Sequence, residues 1–84
     1  MAYEIRFTKQ AIKDLKALSP KLQKKLREIL ENVIAISPLD GKKLIGELSG
    51  SYSYRLTLKD RIVYQIQESK KVIIIERAKT HYGE

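Results

Sequence analysis

The 84-residue chain contains no cysteine and no tryptophan, and it has one histidine and two prolines. Without cysteine it can form neither a disulfide bond nor a thiolate metal site, and a single histidine makes a histidine-based metal site unexpected. No apolar run is longer than that of residues 72–75, which is far too short to span a membrane, and the N-terminus has no signal-peptide pattern. These absences predict a cytoplasmic protein with no metal, no other cofactor and no membrane partner.

The length predicts a single domain over residues 1–84, because a chain of this size supports one small core. Hydrophobic residues make up 43% of the sequence, which is typical of a globular protein rather than a disordered one. The formal net charge of +7 indicates a polyanion or an acidic protein as partner. Lysines are spread over predicted helices and loops, so much of this charge is expected to lie on solvated surfaces.

The stretch from residue 48 to residue 66 predicts a β-hairpin, because apolar and polar residues alternate with a period of two. Such alternation gives one buried face and one wet face. The predicted buried face carries Tyr52, Tyr54, Leu56, Leu58, Ile62, Tyr64 and Ile66, and the predicted wet face carries Ser53, Arg55, Thr57, Arg61, Val63 and Gln65.

The length of the hairpin loop follows from parity, since a slip by one residue exchanges the two faces. A two-residue loop would mix the faces, whereas a three-residue loop over residues 58–60 pairs Tyr54 with Tyr64 and keeps the apolar sets together. In that register Arg55 lies diagonal to Arg61 across the strands. Two guanidinium groups that converge on a wet sheet face predict an anion site, for which phosphate is the natural ligand.

The rest of the chain predicts an α+β fold: an N-terminal strand, a two-helix hairpin and then a mostly antiparallel sheet of about four strands. Residues 3–7 alternate as a strand, Thr8 is placed to cap a first helix, and Ser19 to cap a second that begins with Pro20. Residues 43–48 predict a second strand, and residues 72–75 an interior strand. Pairing Ile66 with Ile73 and Tyr64 with Ile75 would put Glu76 on the same wet face as Arg55 and Arg61. The two helices would cover one face of the sheet, leaving the other open.

The residues that could carry chemistry on or near the open face are cations, one histidine and one tyrosine: Arg55, Arg61, Arg77, Lys79, His81 and Tyr82. The sequence has no serine–histidine–acid triad pattern, no phosphate-binding glycine loop and no metal-ligand cluster. This set is suited to metal-free RNA cleavage, in which the 2′-hydroxyl of the RNA is the nucleophile. The protein would then bind the phosphorane charge, protonate the leaving oxygen and orient the bases.

The chain resembles the RelE/YoeB family of toxins of type II toxin–antitoxin systems over nearly its whole length. The most specific stretches are Leu48-Ser49-Gly50, Tyr52-Ser53-Tyr54-Arg55-Leu56, Arg61-Ile62-Val63-Tyr64 and the ending His81-Tyr82, which is similar to that of YoeB. The resemblance implies a RelE-like two-layer toxin domain that cleaves messenger RNA in the ribosomal A site. It also implies a cognate antitoxin, together with the ribosome and mRNA, as partners.

The resemblance further implies roles for individual residues: Arg61 and Arg55 as catalytic cations, with His81 and Tyr82 as a catalytic terminal pair. The sequence departs from the family where RelE has a lysine, because Ser53 stands there, and Glu47 does not align with the glutamate of YoeB. The general base is therefore open between Glu47 and Glu76, and the late arginine of the family corresponds to Arg77 or Lys79.

Two alternatives stay open at this point. One is a ParE-like toxin of the same fold, which poisons DNA gyrase and cleaves nothing. The other is a catalytically inactive RNA- or protein-binding module, since the lysine and the glutamate of the family are absent. A basic sheet face with Val63 and Ile74 exposed between the charges would suit an acidic amphipathic segment of an antitoxin.

Overall fold

The computed structural model describes residues 3–43 and 50–78, which form five strands and two α-helices with short turns between them. Two of these turns are 3-10 turns and one is a π-helical turn that continues the second helix. The elements in chain order are β1 (Glu4–Phe7), α1 (Lys9–Ala17), α2 (Pro20–Ile29), the π-helical turn (Leu30–Ile34), a 3-10 turn (Pro38–Asp40), β2 (Lys42–Lys43), β3 (Ser51–Arg55), β4 (Arg61–Gln67), a second 3-10 turn (Glu68–Lys70) and β5 (Val72–Arg77).

Both predicted helix caps are confirmed. The Thr8 hydroxyl accepts a hydrogen bond from the Ala11 backbone N–H at 3.1 Å, and the Ser19 hydroxyl accepts one from Leu22 at 3.3 Å. Each bond satisfies one of the backbone donors that the first turn of a helix leaves free. Pro20 follows as the first residue of α2, where its missing N–H has no consequence.

The sheet has the order β1-β5-β4-β3-β2, with β5 between β1 and β4. Strand β5 pairs parallel with β1, and the other neighbours are antiparallel, as the predicted α+β fold requires. The predicted register of the interior strand is confirmed, because Tyr64 lies opposite Ile75 and Ile66 opposite Ile73. Strand β2 begins at Lys42, one residue earlier than predicted, and the remainder of the predicted second strand, residues 44–48, lies outside the described residues.

The core lies between the two helices and one face of the sheet. Leu26 and Ile34 from the helical layer meet Tyr64, Ile73 and Ile75 from the sheet, and all five are almost completely buried. Burial of each such side chain contributes roughly 1.5–3 kcal/mol, so this layer contact is the main source of stability. The helices therefore cover one sheet face, as predicted. In the described residues no helix has both the length and the apolarity to cross a membrane.

Candidate active site

The hairpin of β3 and β4 places Arg55 directly opposite Arg61. The prediction that Arg55 lies diagonal to Arg61 is therefore wrong, because the register is shifted by two residues. The parity argument is right, because both arginines lie on one sheet face. Arg55 is exposed and Arg61 is half-buried, and both side chains lie on the sheet face away from the helices. Directly opposite residues in an antiparallel pair have Cβ atoms roughly 4.5–5.5 Å apart, so the guanidinium groups can bind one anion together.

The register differs from the prediction because the hairpin loop has five residues, 56–60, instead of three. The Thr57 hydroxyl accepts hydrogen bonds from the backbone N–H groups of Lys59 (3.1 Å) and Asp60 (2.9 Å), which organises the loop. Leu58 is 91% exposed, so its predicted position on the buried strand face is wrong. Thr57 likewise belongs to the loop rather than to the wet face of a strand.

A cleft of about 570 Å³ opens at this end of the hairpin, and residues of the hairpin, of β2 with the turn before it, and of α2 line it. Four cations line it, Lys25, Lys42, Arg55 and Arg61, against one acid, Asp40. Among the described residues neither arginine makes a salt bridge. Like charges directly opposite on adjacent strands are destabilising, so a bound anion would relieve the repulsion.

Sequence reasoning missed both lysines of the cleft. Lys25 looked like one more solvated residue of an amphipathic helix, and Lys42 lay before the predicted second strand. The turn Asp40-Gly41 was the available signal, because a turn at that point delivers the next residue to the start of a strand beside β3.

A buried tyrosine fixes the position of this turn. The Tyr64 hydroxyl donates a 2.6 Å hydrogen bond to the Pro38 carbonyl, and its ring stacks on Tyr52 with centroids 5.8 Å apart. Burial raises the pKa of Tyr64 to about 12, although a hydrogen bond with the Gly41 backbone opposes the shift. A neutral, hydrogen-bonded tyrosine thus ties residues 38–41 to the sheet and sets where β2 begins.

The centre of the predicted wet face is buried. Ser53 and Val63, which face each other across β3 and β4, are 2% and 1% exposed, so the prediction that they lie on an open surface is wrong. Ile74 is half-exposed. The expected mixed charged and apolar surface therefore does not include Val63.

Glu76 lies on the same sheet face as the arginines, as predicted, but not beside them. Its carboxylate accepts hydrogen bonds from the Ser51 hydroxyl (2.7 Å) and the Gln65 amide (3.2 Å). Gln65 is four residues along β4 from Arg61, which corresponds to roughly 13 Å at the rise of a strand. The structure does not bring Glu76 to the two arginines.

Arg77 points to the other layer. Its Nε donates to Asp14 Oδ2 at 2.7 Å, and the same carboxylate accepts hydrogen bonds from the Ala78 backbone N–H and the Gln10 amide, both at 3.1 Å. Burial acts to raise the pKa of Asp14, but these hydrogen bonds and the charge of Arg77 outweigh it and hold the pKa below its usual value. Arg77 is thus paired with α1 and is not brought to Arg55 and Arg61.

The predicted site residues Glu47, Lys79, His81 and Tyr82 lie outside the described residues, so their roles stay predictions. Within residues 3–43 and 50–78 no group of three or more metal-ligating side chains could hold a metal ion.

Comparison with known proteins agrees with this architecture. The family model "ParE toxin of type II toxin-antitoxin system, parDE" matches residues 5–77. The chain therefore belongs to the ParE toxin family and has the fold that RelE, YoeB and ParE toxins share. It is thus a toxin of a type II toxin–antitoxin system. No curated protein sequence matches it significantly.

Solved structures give the same result. The toxin–antitoxin complex RelBE2 from Mycobacterium tuberculosis contains a chain that is 31% identical, with a TM-score of 0.86, and the match covers 95% of this chain and 99% of that one. A chain of the YoeB–YefM complex from Staphylococcus aureus is also 31% identical, with a TM-score of 0.78 and coverage of 98% and 100%. The archaeal RelE–RelB complex from Pyrococcus horikoshii follows at 26% identity, with a TM-score of 0.77 and full coverage of both chains.

Proposed function

We propose that this toxin is a metal-independent endoribonuclease that cleaves mRNA in the A site of the ribosome. The observation that carries the proposal is the arginine pair, Arg55 opposite Arg61, which faces a cationic cleft and has no acidic partner among the described residues. A pair of unneutralised guanidinium groups is suited to a phosphate whose charge increases in the transition state. The likeness to RelE and YoeB toxins supports the same reaction.

In this reaction the 2′-oxygen of the RNA forms a bond to phosphorus while the bond from phosphorus to the 5′-oxygen breaks. The products are a 2′,3′-cyclic phosphate and a 5′-hydroxyl. Arg61 and Arg55 bind the extra charge on the phosphorane, His81 gives a proton to the leaving 5′-oxygen, and Tyr82 stacks on a base. Lys79 is a candidate for a further cation near the terminal pair.

The proton of the 2′-hydroxyl must pass to a general base. Of the two carboxylates that the sequence offered, Glu76 is held by Ser51 and Gln65 roughly 13 Å along the sheet from Arg61. Glu47 is therefore the stronger candidate for the base. Replacement of Glu47 by glutamine would slow cleavage at neutral pH if it serves in this role.

The partner that restrains the toxin is a cognate antitoxin, since the related solved structures are complexes of a toxin with its antitoxin. The formal charge of +7 favours an acidic antitoxin segment. Expression of the toxin alone should arrest growth, and co-expression with the antitoxin should restore it. Normal growth with abundant folded toxin and no partner would contradict this part of the proposal.

A second candidate function is favoured by the family match, which is to a ParE toxin model. In that case the protein poisons DNA gyrase and leaves mRNA intact. The arginine pair in the cationic cleft favours the nuclease, because paired guanidinium groups suit a phosphate whose charge increases in the transition state.

One experiment separates these functions. Ribosomes translating a defined message are incubated with the purified toxin, and the message ends are mapped, while a parallel reaction measures supercoiling by gyrase. Cleavage within A-site codons supports the nuclease, and inhibition of supercoiling alone supports the gyrase poison. If the toxin neither cleaves the message nor inhibits supercoiling, it is an inactive binding module, and both proposed functions are refuted.

A further inference from the structure

Lys42 extends the cationic surface across a third strand. It pairs with Ser53 across β2 and β3, so its side chain lies on the same sheet face as Ser53. Arg55 is two residues further along β3, so it shares that face too, as does Arg61 opposite it. Diagonal neighbours on adjacent strands are roughly 7–8 Å apart, which a lysine side chain can span. Three cations on three adjacent strands therefore form one continuous surface at the cleft.

Ser53 provides a second and independent observation. The residue is 2% exposed, it lines the cleft, and its hydroxyl has no hydrogen-bond partner in the described part of the chain. A buried hydroxyl without a partner is unfavourable, and most buried polar groups in folded proteins are satisfied. Ser51, two residues earlier on the same face, shows the usual outcome, because its hydroxyl donates to Glu76 at 2.7 Å.

We propose that Lys42 and Ser53 form a phosphate subsite beside the arginine pair, which binds the phosphodiester next to the scissile one in single-stranded RNA. The proposal rests on the proposed nuclease function, since it defines which phosphate the arginines hold. The Lys42 ammonium supplies a compact charge with three donors, and the Ser53 hydroxyl donates to a phosphate oxygen. Asp40, the single acid of the cleft, reduces the charge there but leaves an excess of three cations.

A short single-stranded RNA that carries 2′-O-methyl groups tests this subsite, because it lacks the nucleophile and cannot be cleaved. Its affinity for the purified toxin is measured by fluorescence anisotropy over a range of KCl concentrations. Lys42→Ala should weaken binding about tenfold or more, as expected for one charge-assisted contact. It should also reduce the slope of log affinity against log salt by about 0.7, the value for one contact to single-stranded nucleic acid.

The matched control is Lys70→Ala, which makes the same change in net charge. Lys70 is exposed and follows the far end of β4, roughly 20 Å along that strand from Arg61. It should change the affinity less than about twofold, because only long-range attraction is lost. Equal effects of the two substitutions, or no binding of the RNA by the wild-type toxin, would overturn the proposal.

Ser53→Ala separates a binding role from a structural one. Removal of a buried hydroxyl without a partner should leave the unfolding midpoint unchanged or raise it, while RNA affinity falls about two- to fivefold. Ser51→Ala is the matched control and should do the opposite, because its hydroxyl is bonded to Glu76: the midpoint falls and RNA affinity stays. A fall of both quantities in Ser53→Ala would mean that the hydroxyl supports the fold and would overturn its part in the subsite.

Failure of the subsite and failure of the nuclease give different results. If the wild-type toxin cleaves mRNA on ribosomes but Lys42→Ala behaves as Lys70→Ala does, the subsite is rejected and the nuclease stands. If Lys42→Ala selectively loses RNA affinity but the wild-type toxin cleaves no message, the surface binds RNA and the nuclease is rejected.

Discussion

The arginines of this toxin occupy two opposite settings. Arg77 at the end of β5 is paired with the buried carboxylate of Asp14, which also bonds the Ala78 backbone. Arg55 and Arg61 at the loop end of the β3–β4 hairpin face each other, and no described acid pairs with either. The first setting lowers the energy of the folded chain, whereas the second raises it. Charges that a fold holds together against their repulsion indicate a binding site more clearly than charges that it neutralises.

The largest expected effect is on the rate of cleavage when one of the unpaired arginines is replaced. Arg61→Ala should lower the rate of mRNA cleavage on ribosomes by about two to three orders of magnitude, the usual consequence of losing one preorganised charge donor. Its thermal midpoint should stay or rise slightly, since the repulsion with Arg55 is removed. Arg61→Lys should recover only part of the rate, because an ammonium cannot make the paired contacts of a guanidinium. Single-turnover cleavage and a thermal melt on each variant provide the measurement.

The control for this prediction is Arg27→Ala, on the exposed side of α2, which should retain near wild-type cleavage. If the Arg61→Ala variant is folded, binds ribosomes and cleaves at the wild-type rate, then the arginine face is not the active site.

For the paired arginine, Arg77, we expect removal of its partner to lower the stability of the fold. Asp14→Ala should reduce the free energy of unfolding by about 2–3 kcal/mol, because it removes the carboxylate that accepts hydrogen bonds from the Arg77 guanidinium and the buried Ala78 N–H. Urea unfolding of the wild type, Asp14→Ala and Glu28→Ala measures this, since Glu28 is exposed on α2. Equal midpoints for the two variants would contradict a structural role. In a double-mutant cycle, Asp14→Ala and Arg77→Ala should cost less together than the sum of the two.

A substitution at Gly41 should displace the turn before β2 from its position near the unpaired arginines. A methyl group there would overlap the Tyr64 hydroxyl oxygen and lie 2.9 Å from the Ser53 carbonyl oxygen. Gly41→Ala should therefore lower stability by about 1–3 kcal/mol, as overpacking does, and shift Lys42 away from Ser53. In a Tyr64→Phe background the same substitution should be less harmful, which unfolding midpoints of the four proteins would reveal. An equal loss in both backgrounds would place the strain elsewhere.

The smallest effect concerns pH. The pKa of Asp14 is lowered in the folded chain, so the stability that its ionised form contributes is complete above its unfolded pKa of about 3.9 and is lost as the pH falls through the folded value. The difference in unfolding free energy between the wild type and Asp14→Ala should therefore be constant from pH 7 to about pH 5 and shrink below about pH 4. Urea titrations at several pH values measure it. A difference that grows on acidification would contradict the assignment.

Local rules in the sequence determined most of the fold. Helix caps at Thr8 and Ser19, and the run of β-branched residues in β5, depend on neighbours within a few positions, and they were correct. Parity correctly assigned Arg55 and Arg61 to one face, because period-two geometry leaves no intermediate case. The length of the loop between them could not be predicted, since it depends on the Thr57 side chain satisfying the loop backbone.

The pairs of the site depend on contacts far apart in sequence, and these were harder to predict. The pairing of Lys42 with Ser53 depends on where β2 begins, and Tyr64 sets that point through its hydrogen bond to the Pro38 carbonyl. Asp14 did carry a usable signal, because it lies three residues after Ala11 on the buried side of α1. An acid on an apolar helix face predicts a buried cation partner, but not which of the many cations it would be.

The parallel pairing of β1 with β5 has a consequence for how the toxin folds as it is synthesised. Glu4 lies beside Val72, so the first strand of the sheet finds its only described neighbour at the last one. Contacts between such distant parts of a chain form late and slowly, because the loop between them must close before any pairing is gained. A nascent toxin that has not yet been synthesised to about residue 72 therefore lacks the strand that joins β1 to the rest of the sheet. We expect toxicity to begin only after this closure.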